Sequence, residues 1–262
     1  MGDNAGLQIL EKWHGAGNDF VVALRARGPA RLDGATALAW CDRHTGIGAD
    51  GLIEGYVGQE GLAMRLHNAD GSEAELSGNG LRCLVAAAAA HGIVAEGTLD
   101  VMTDAGPRRV TIALDPSGWR AWGSVDMGAV ELKGGTLDDG VLAVVGNPHV
   151  VVADVGSPDS ELIERARDLA GPLASGANVE FVTVVGEDHV SIRVVERGAG
   201  LTLACGTGSC AVAAVAHDLG LVGSRVLVTN PGGDLEVALL DGVAVLAGPA
   251  ARIASITLNE PW

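Results

Sequence analysis

Aromatic side chains are scarce in this sequence: two Phe, one Tyr and five Trp make up 3% of 262 residues. The core must therefore be built from Val, Leu, Ile and Ala, a palette suited to many strands joined by tight turns. The 39 glycines supply those turns. Positive charge is scarce as well. Seventeen Lys and Arg stand against 33 Asp and Glu, a formal charge of −16, and the chain has no basic stripe of the kind needed to release counterions from phosphates. Nucleic acid is excluded as a partner on this ground, and the acidic surface reads as a solubility device. The only lysines are Lys12 and Lys133, and neither marks itself as a Schiff-base residue. The four cysteines, Cys41, Cys83, Cys205 and Cys210, form no C-x-x-C pair, so neither a zinc site nor a disulfide framework is indicated and a reducing compartment fits. The first residues lack the basic head and apolar stretch of a signal peptide. The apolar run around 83–90 is too short to span a bilayer. A cytoplasmic protein with no membrane partner is expected.

Length allows one large domain or two of about 130 residues. Runs of Val, Ile and Leu bounded by Gly, Asp and Pro predict strands near 7–13, 19–25, 63–67, 107–114, 120–126, 148–154, 179–185, 190–195, 225–229, 233–240 and 243–247. Helices are predicted at 34–43, 79–91, 159–170 and 207–219. Strands outnumber helices, which indicates an α+β architecture. An internal echo is the most informative feature: SGNGLRCLVAAAAAHG at 77–92 lies beside CGTGSCAVAAVAHDLG at 205–220, with Ser77 on Cys205 and the glycine pairs on each other. A loop and helix recurring at half the chain length suggests two similar halves, 1–127 and 128–249, with 250–262 added to the sheet of the first. Each half would carry one long apolar helix wrapped by strands, since such a helix has little polar face to give to water. The segment 128–140 reads as the connection between them.

A helix that opens on Gly78-Asn79-Gly80 or Gly206-Thr207-Gly208 presents backbone N–H groups without intrahelical partners, and the glycines let an anion come close. Two such ends would hold a carboxylate. The same positive ends lower the pKa of an adjacent thiol, which makes Cys205 a candidate thiolate. A carboxylate held by helix ends, with acid–base side chains on either side, suits removal and return of a proton on the neighbouring carbon.

The motifs KWHGAGNDFVV at 12–22, CDRHTGIGADGLI at 41–53, HNADGSEAELSGNGLRC at 67–83, GNPHVVV at 146–152, GANVEFV at 176–182 and ERGAGLTLACGTGSCA at 196–211 run almost end to end. Through them the chain resembles the diaminopimelate epimerase family. The resemblance implies two similar halves, each a curled, mostly antiparallel sheet around a central helix, with an amino-acid substrate in the cleft between them. It implies no cofactor and no metal, and leaves a homodimer open. In that family two cysteines, one per half, serve as thiolate base and thiol acid on opposite faces of the α-carbon. One falls on Cys205 and the other on Ser77. Asn18, Asn68, Asn147, Asn178, Glu196 and Arg197 match the polar set that grips the substrate. Gly78, Asn79, Gly206 and Thr207 match the helix-end donors for the near carboxylate, and His149 matches a histidine beside the reaction centre.

A hydroxyl is far less acidic than a thiol, so Ser77 is no standing base near neutral pH without an activating partner. Three readings stay open: a replacement introduced to trap a complex, a natural pair in which Cys205 removes the proton and Ser77 returns it, and a change of reaction to a one-base elimination or isomerisation. Another racemase or dehydratase of the same fold, and a binding protein that lost its chemistry, are the competing functions. Cys83 lies more than a turn into its helix, out of reach of the same carbon, and with Cys41 and Cys210 is expected to be structural.

Overall fold

The computed structural model describes residues 9–29, 32–171, 173 and 176–258. In chain order the elements are β1 (Ile9–Gly15), β2 (Asn18–Arg25), α1 (Gly34–Cys41), β3 (Gly51–Gly58), β4 (Gly61–Asn68), β5 (Glu73–Ala74), α2 (Gly78–Ala90), β6 (Gly97–Thr103), β7 (Gly106–Leu114) and β8 (Arg120–Ala129). They continue with β9 (Glu131–Thr136), β10 (Gly140–Val145), β11 (Asn147–Ala153), α3 (Asp159–Ala170), β12 (Asn178–Gly186), β13 (His189–Glu196), β14 (Gly200–Thr202), α4 (Gly206–Asp218), β15 (Arg225–Asn230), β16 (Gly233–Leu240) and β17 (Val243–Ser255). The chain divides into two compact units. One takes the chain up to Gly15, Asp19–Val125 and the chain from Pro249 onward; the other takes Ala16–Asn18 and Asp126–Gly248.

The first unit pairs β2 with β3 in parallel, β3 with β4 antiparallel, β4 with β6 in parallel, then β6 with β7 and β7 with β8 antiparallel. Its β1 is antiparallel to the end of β17, with Glu11 opposite Ser255. The buried Glu11 carboxylate fastens that edge by accepting from Trp13 Nε1 and Arg252, 2.8 Å each. The second unit repeats the order of pairing, with β11 parallel to β12, β12 antiparallel to β13, β13 parallel to β15, then β15, β16 and β17 antiparallel in turn. In both units most pairings are antiparallel around one buried helix. The fold is the α+β arrangement expected from the sequence.

Alternation along the strands decides what each unit buries. In the first, Val21, Ala23 and Leu52 pack with Ala37 and Trp40 of α1. The opposite face meets α2, which is buried from Gly78 to Ala88. A Cβ on Gly55 would come within 2.3 Å of Leu84 Cδ1 on that helix, so the central strand β3 needs its glycine. In the second unit Val150, Val152, Val179 and Phe181 pack with Leu162 and Ala166 of α3. That leaves His149, Val151, Asn178 and Glu180 on the face toward α4. Alanine-rich α2 and α4 suit this place, because small side chains let strands approach.

The structure adds strands that the sequence pattern does not predict: β3, β6, β9 and β10 among them. Gly55 and Glu54 interrupt the apolar run in β3, and β6 carries Thr98 and Asp100 on its outer face. The segment 128–140 is corrected from a connection to structure: it holds the end of β8 and all of β9, which pairs antiparallel with β10. No helix among the described residues is long and apolar enough to cross a membrane.

Candidate active site

Ser77 and Cys205 occupy the same local position, each in its own unit. Both are N-cap residues with extended backbone, φ −142° and ψ 118° for Ser77, φ −125° and ψ 115° for Cys205. Each side chain accepts from the amide three residues on: Ser77 Oγ from Gly80 N at 3.0 Å, Cys205 Sγ from Gly208 N at 3.4 Å. An N-cap side chain satisfies one of the helix's unpaired amides, and serine is among the best residues for it. Ser77 thus has a structural task whatever its chemistry. Gly78 and Asn79, like Gly206 and Thr207, are the first two residues of their helices, where intrahelical acceptors for N–H groups end. The Asn79 side-chain oxygen accepts from buried Arg82 at 2.6 Å.

In the second unit several of the expected residues contact the thiol or one another. Asn178 Nδ2 lies 3.9 Å and Thr207 Oγ1 3.5 Å from Cys205 Sγ. Asn178 Oδ1 accepts from the Arg197 amide at 3.0 Å, which fixes the amide side chain and the start of the Arg197 turn together. Glu196 accepts from Thr202 Oγ1 at 2.5 Å. His149, wholly buried, sits with Nδ1 2.7 Å from Glu180 Oε1 and Nε2 3.1 Å from Asn147 Oδ1. Asn18 opens β2 and groups with this unit. Asn68 closes β4, and its Nδ2 donates to Ser72 Oγ at 3.0 Å.

The pKa of Cys205 is raised well above the ordinary thiol value, first by burial and then by the Glu196 and Glu180 carboxylates. The hydrogen bonds from Thr207 and Gly208 oppose the shift and are outweighed. The sequence shows the local helix-end effect and does not show that Glu196 and Glu180 act on the thiol. Glu196 is raised too: burial leads, Glu180 adds to it, and the bond from Thr202 works the other way. Burial also pushes Cys41 and Cys83 up to about 12. Glu180 is the site residue that the sequence motifs did not single out. Its one legible signal is an acid set inside the apolar run NVEFV, on the face that alternation assigns to Asn178.

Solved structures share this architecture. A structure described as a predicted epimerase from Pseudomonas aeruginosa matches with a TM-score of 0.76 over 97% of this chain and 99% of that one, at 16% identity. A hydroxyproline epimerase from Agrobacterium vitis matches at 0.70, 17% identity and 96% and 93% coverage. A PhzF-family phenazine biosynthesis protein from Bacillus anthracis matches at 0.70, 16% identity and 94% and 97% coverage. At such identities the likeness speaks for the fold alone, and it sets the chain in the architectural class that these solved structures share. Sequence narrows the class. The profile of the family described as diaminopimelate epimerase matches residues 11–133 and 141–253. A diaminopimelate epimerase from Desulforudis audaxviator is 39% identical over 92% of this chain and 96% of its own length, and one from Synechocystis is 38% identical over 94% and 97%. The chain belongs to the diaminopimelate epimerase family, which is an isomerase family of racemases and epimerases.

Proposed function

We propose that this protein interconverts LL- and meso-2,6-diaminopimelate by removing and returning the α-proton, without pyridoxal phosphate or metal, in a cytoplasmic route to lysine and peptidoglycan precursors. The observation that carries the reading is the N-cap thiol of Cys205, which accepts from an amide of its helix and lies in the field of the Glu196 carboxyl. Thiol and carboxyl both have raised proton affinity, and burial is the leading cause for each. One base must therefore form from the pair when substrate binds. The ammonium group of an amino acid brings positive charge to the site, which lowers both affinities and lets Glu196 take the thiol proton. Cys205 then removes the α-proton. Charge developing on the substrate carboxylate is met by the first amides of the helices, at Gly206 and Thr207 and at Gly78 and Asn79. Ser77 serves the other face and returns a proton directly or through water. Asn18, Asn68, Asn147, Asn178 and Arg197 are assigned to the remaining amino and carboxylate groups, where a bidentate guanidinium suits a second carboxylate.

The serine predicts a slow enzyme, because an unactivated hydroxyl is a poor base. It is also the one observation that favours a second reading, a one-base reaction on another amino acid. Chiral chromatography of LL-diaminopimelate incubated with the protein separates the two. The proposal expects the meso isomer to form, and expects Ser77→Cys to form it at least about tenfold faster. Failure of both proteins to make any meso isomer, with turnover of another amino acid, would contradict it.

A further inference from the structure

The two units place different side chains behind equivalent helix starts. In the first, a Cβ on Gly80 would stand 3.1 Å from Ile53 Cδ1 and 3.2 Å from Ser77 Oγ. The neighbouring strand sets Phe20 opposite Gly51, so the residues in this frame are apolar. In the second, Gly208 stands for Gly80, Glu180 for Ile53 and His149 for Phe20, with His149 opposite Asn178. A Cβ on Gly208 would come within 2.4 Å of Glu180 Oε1, so the glycine makes room for a carboxylate. Both members of the pair are 0% exposed, and Glu180 Oε2 accepts no hydrogen bond from any described residue. Burying such a pair is seldom more stabilising than apolar side chains of similar size, and the fold already accommodates the apolar alternative at Phe20 and Ile53. The polar version stands at the thiol's helix only.

We propose that Glu180 is a positioning residue for proton transfer at Cys205, holding the Nδ1–H of His149 so that the ring keeps one orientation. This rests on the epimerase reading of the site. A carboxylate oxygen and an amide oxygen both only accept, so Nδ1 donates to Glu180 Oε1 and Nε2 donates to Asn147 Oδ1. The pair also acts through charge. Glu180 raises the proton affinity of Glu196 and of Cys205, while His149 lowers that of Glu196. Glu180 touches neither the thiol nor, in this account, the substrate; it works through the ring and the field.

The test is Glu180→Gln, which preserves size above Gly208 and removes the charge. With LL-diaminopimelate, kcat should fall at least about tenfold while KM stays within about twofold. Iodoacetamide labelling of Cys205 at fixed pH, read by peptide mass, should become faster, because a negative charge that suppresses the thiolate is gone. In the free protein the His149 Nδ1–H proton resonance, far downfield against the carboxylate, should move upfield. A double variant, His149→Phe with Glu180→Ile, should melt no lower than the parent and turn over no faster than Glu180→Gln, which separates position from folding. Unchanged kcat, labelling and resonance in Glu180→Gln would overturn the proposal. A parent protein inert toward diaminopimelate would sink the epimerase reading instead, and the labelling and resonance would still decide the part played by Glu180.

Discussion

Cys205 shows how a residue's surroundings can reverse its local chemistry. At the first turn of α4 it receives the Gly208 amide, an interaction that by itself favours thiolate. Burial to 6% exposure and two carboxylates favour the thiol more strongly. The sign is therefore set: below the raised pKa the side chain is SH, and the thiolate fraction grows only as pH climbs through it. Labelling of Cys205 by iodoacetamide in the free protein should keep accelerating beyond pH 9, without a plateau at the ordinary thiol value. A plateau near pH 7 would mean that the helix end dominates after all. Ser77, in the same backbone setting, is a good cap and a poor acid, so its contribution to helix α2 does not depend on whether it moves protons. Legibility follows the same division. The caps, the glycines and the Asn and Arg residues of the second site lie in local motifs and could be read directly. Glu180 meets His149 across 31 residues of chain, and an acid in a strand gives no sign by itself of facing inward.

At the scale of elements, α2 and α4 are the same device fitted to different floors. Both open on Gly-x-Gly, both run into alanine, and both are buried along most of their length. Their third residues differ in tolerance. Gly208→Ala forces a Cβ against Glu180 Oε1 and its side-chain carbons at 2.4–3.0 Å, whereas Gly80→Ala meets Ile53 and Ser77 side chains at 3.1–3.2 Å. Thermal melts should show Gly208→Ala losing about 1–3 kcal/mol and Gly80→Ala clearly less; equal losses would mean that Glu180 can step aside. All four helices were legible to within two residues at each end, α2 and α4 through a Gly-x-Gly that runs into alanine. Strands β3, β6, β9 and β10 were not, since glycine at a crowded helix contact or polar residues on an outer face hide a period-2 signal.

For the molecule as a whole, repetition is the organising fact: two units with one order of strand pairing, one outer helix and one buried helix apiece. The recurrence of SGNG and CGTG made that legible from sequence, while strand order was beyond it because parallel partners such as β4 and β6 are joined through a helix. Repetition of form has not kept the chemistry equal. The half bearing Cys205 concentrates acid, imidazole and amide side chains around a thiol, and the half bearing Ser77 sets apolar residues behind a hydroxyl. The measurement that bears most directly on this assignment is proton exchange at the substrate's α-carbon, followed by mass spectrometry of diaminopimelate in deuterium oxide. The account predicts that the protein introduces one deuterium per epimerised centre and that Cys205→Ala lowers the rate at least about a hundredfold; exchange undiminished in Cys205→Ala would contradict it.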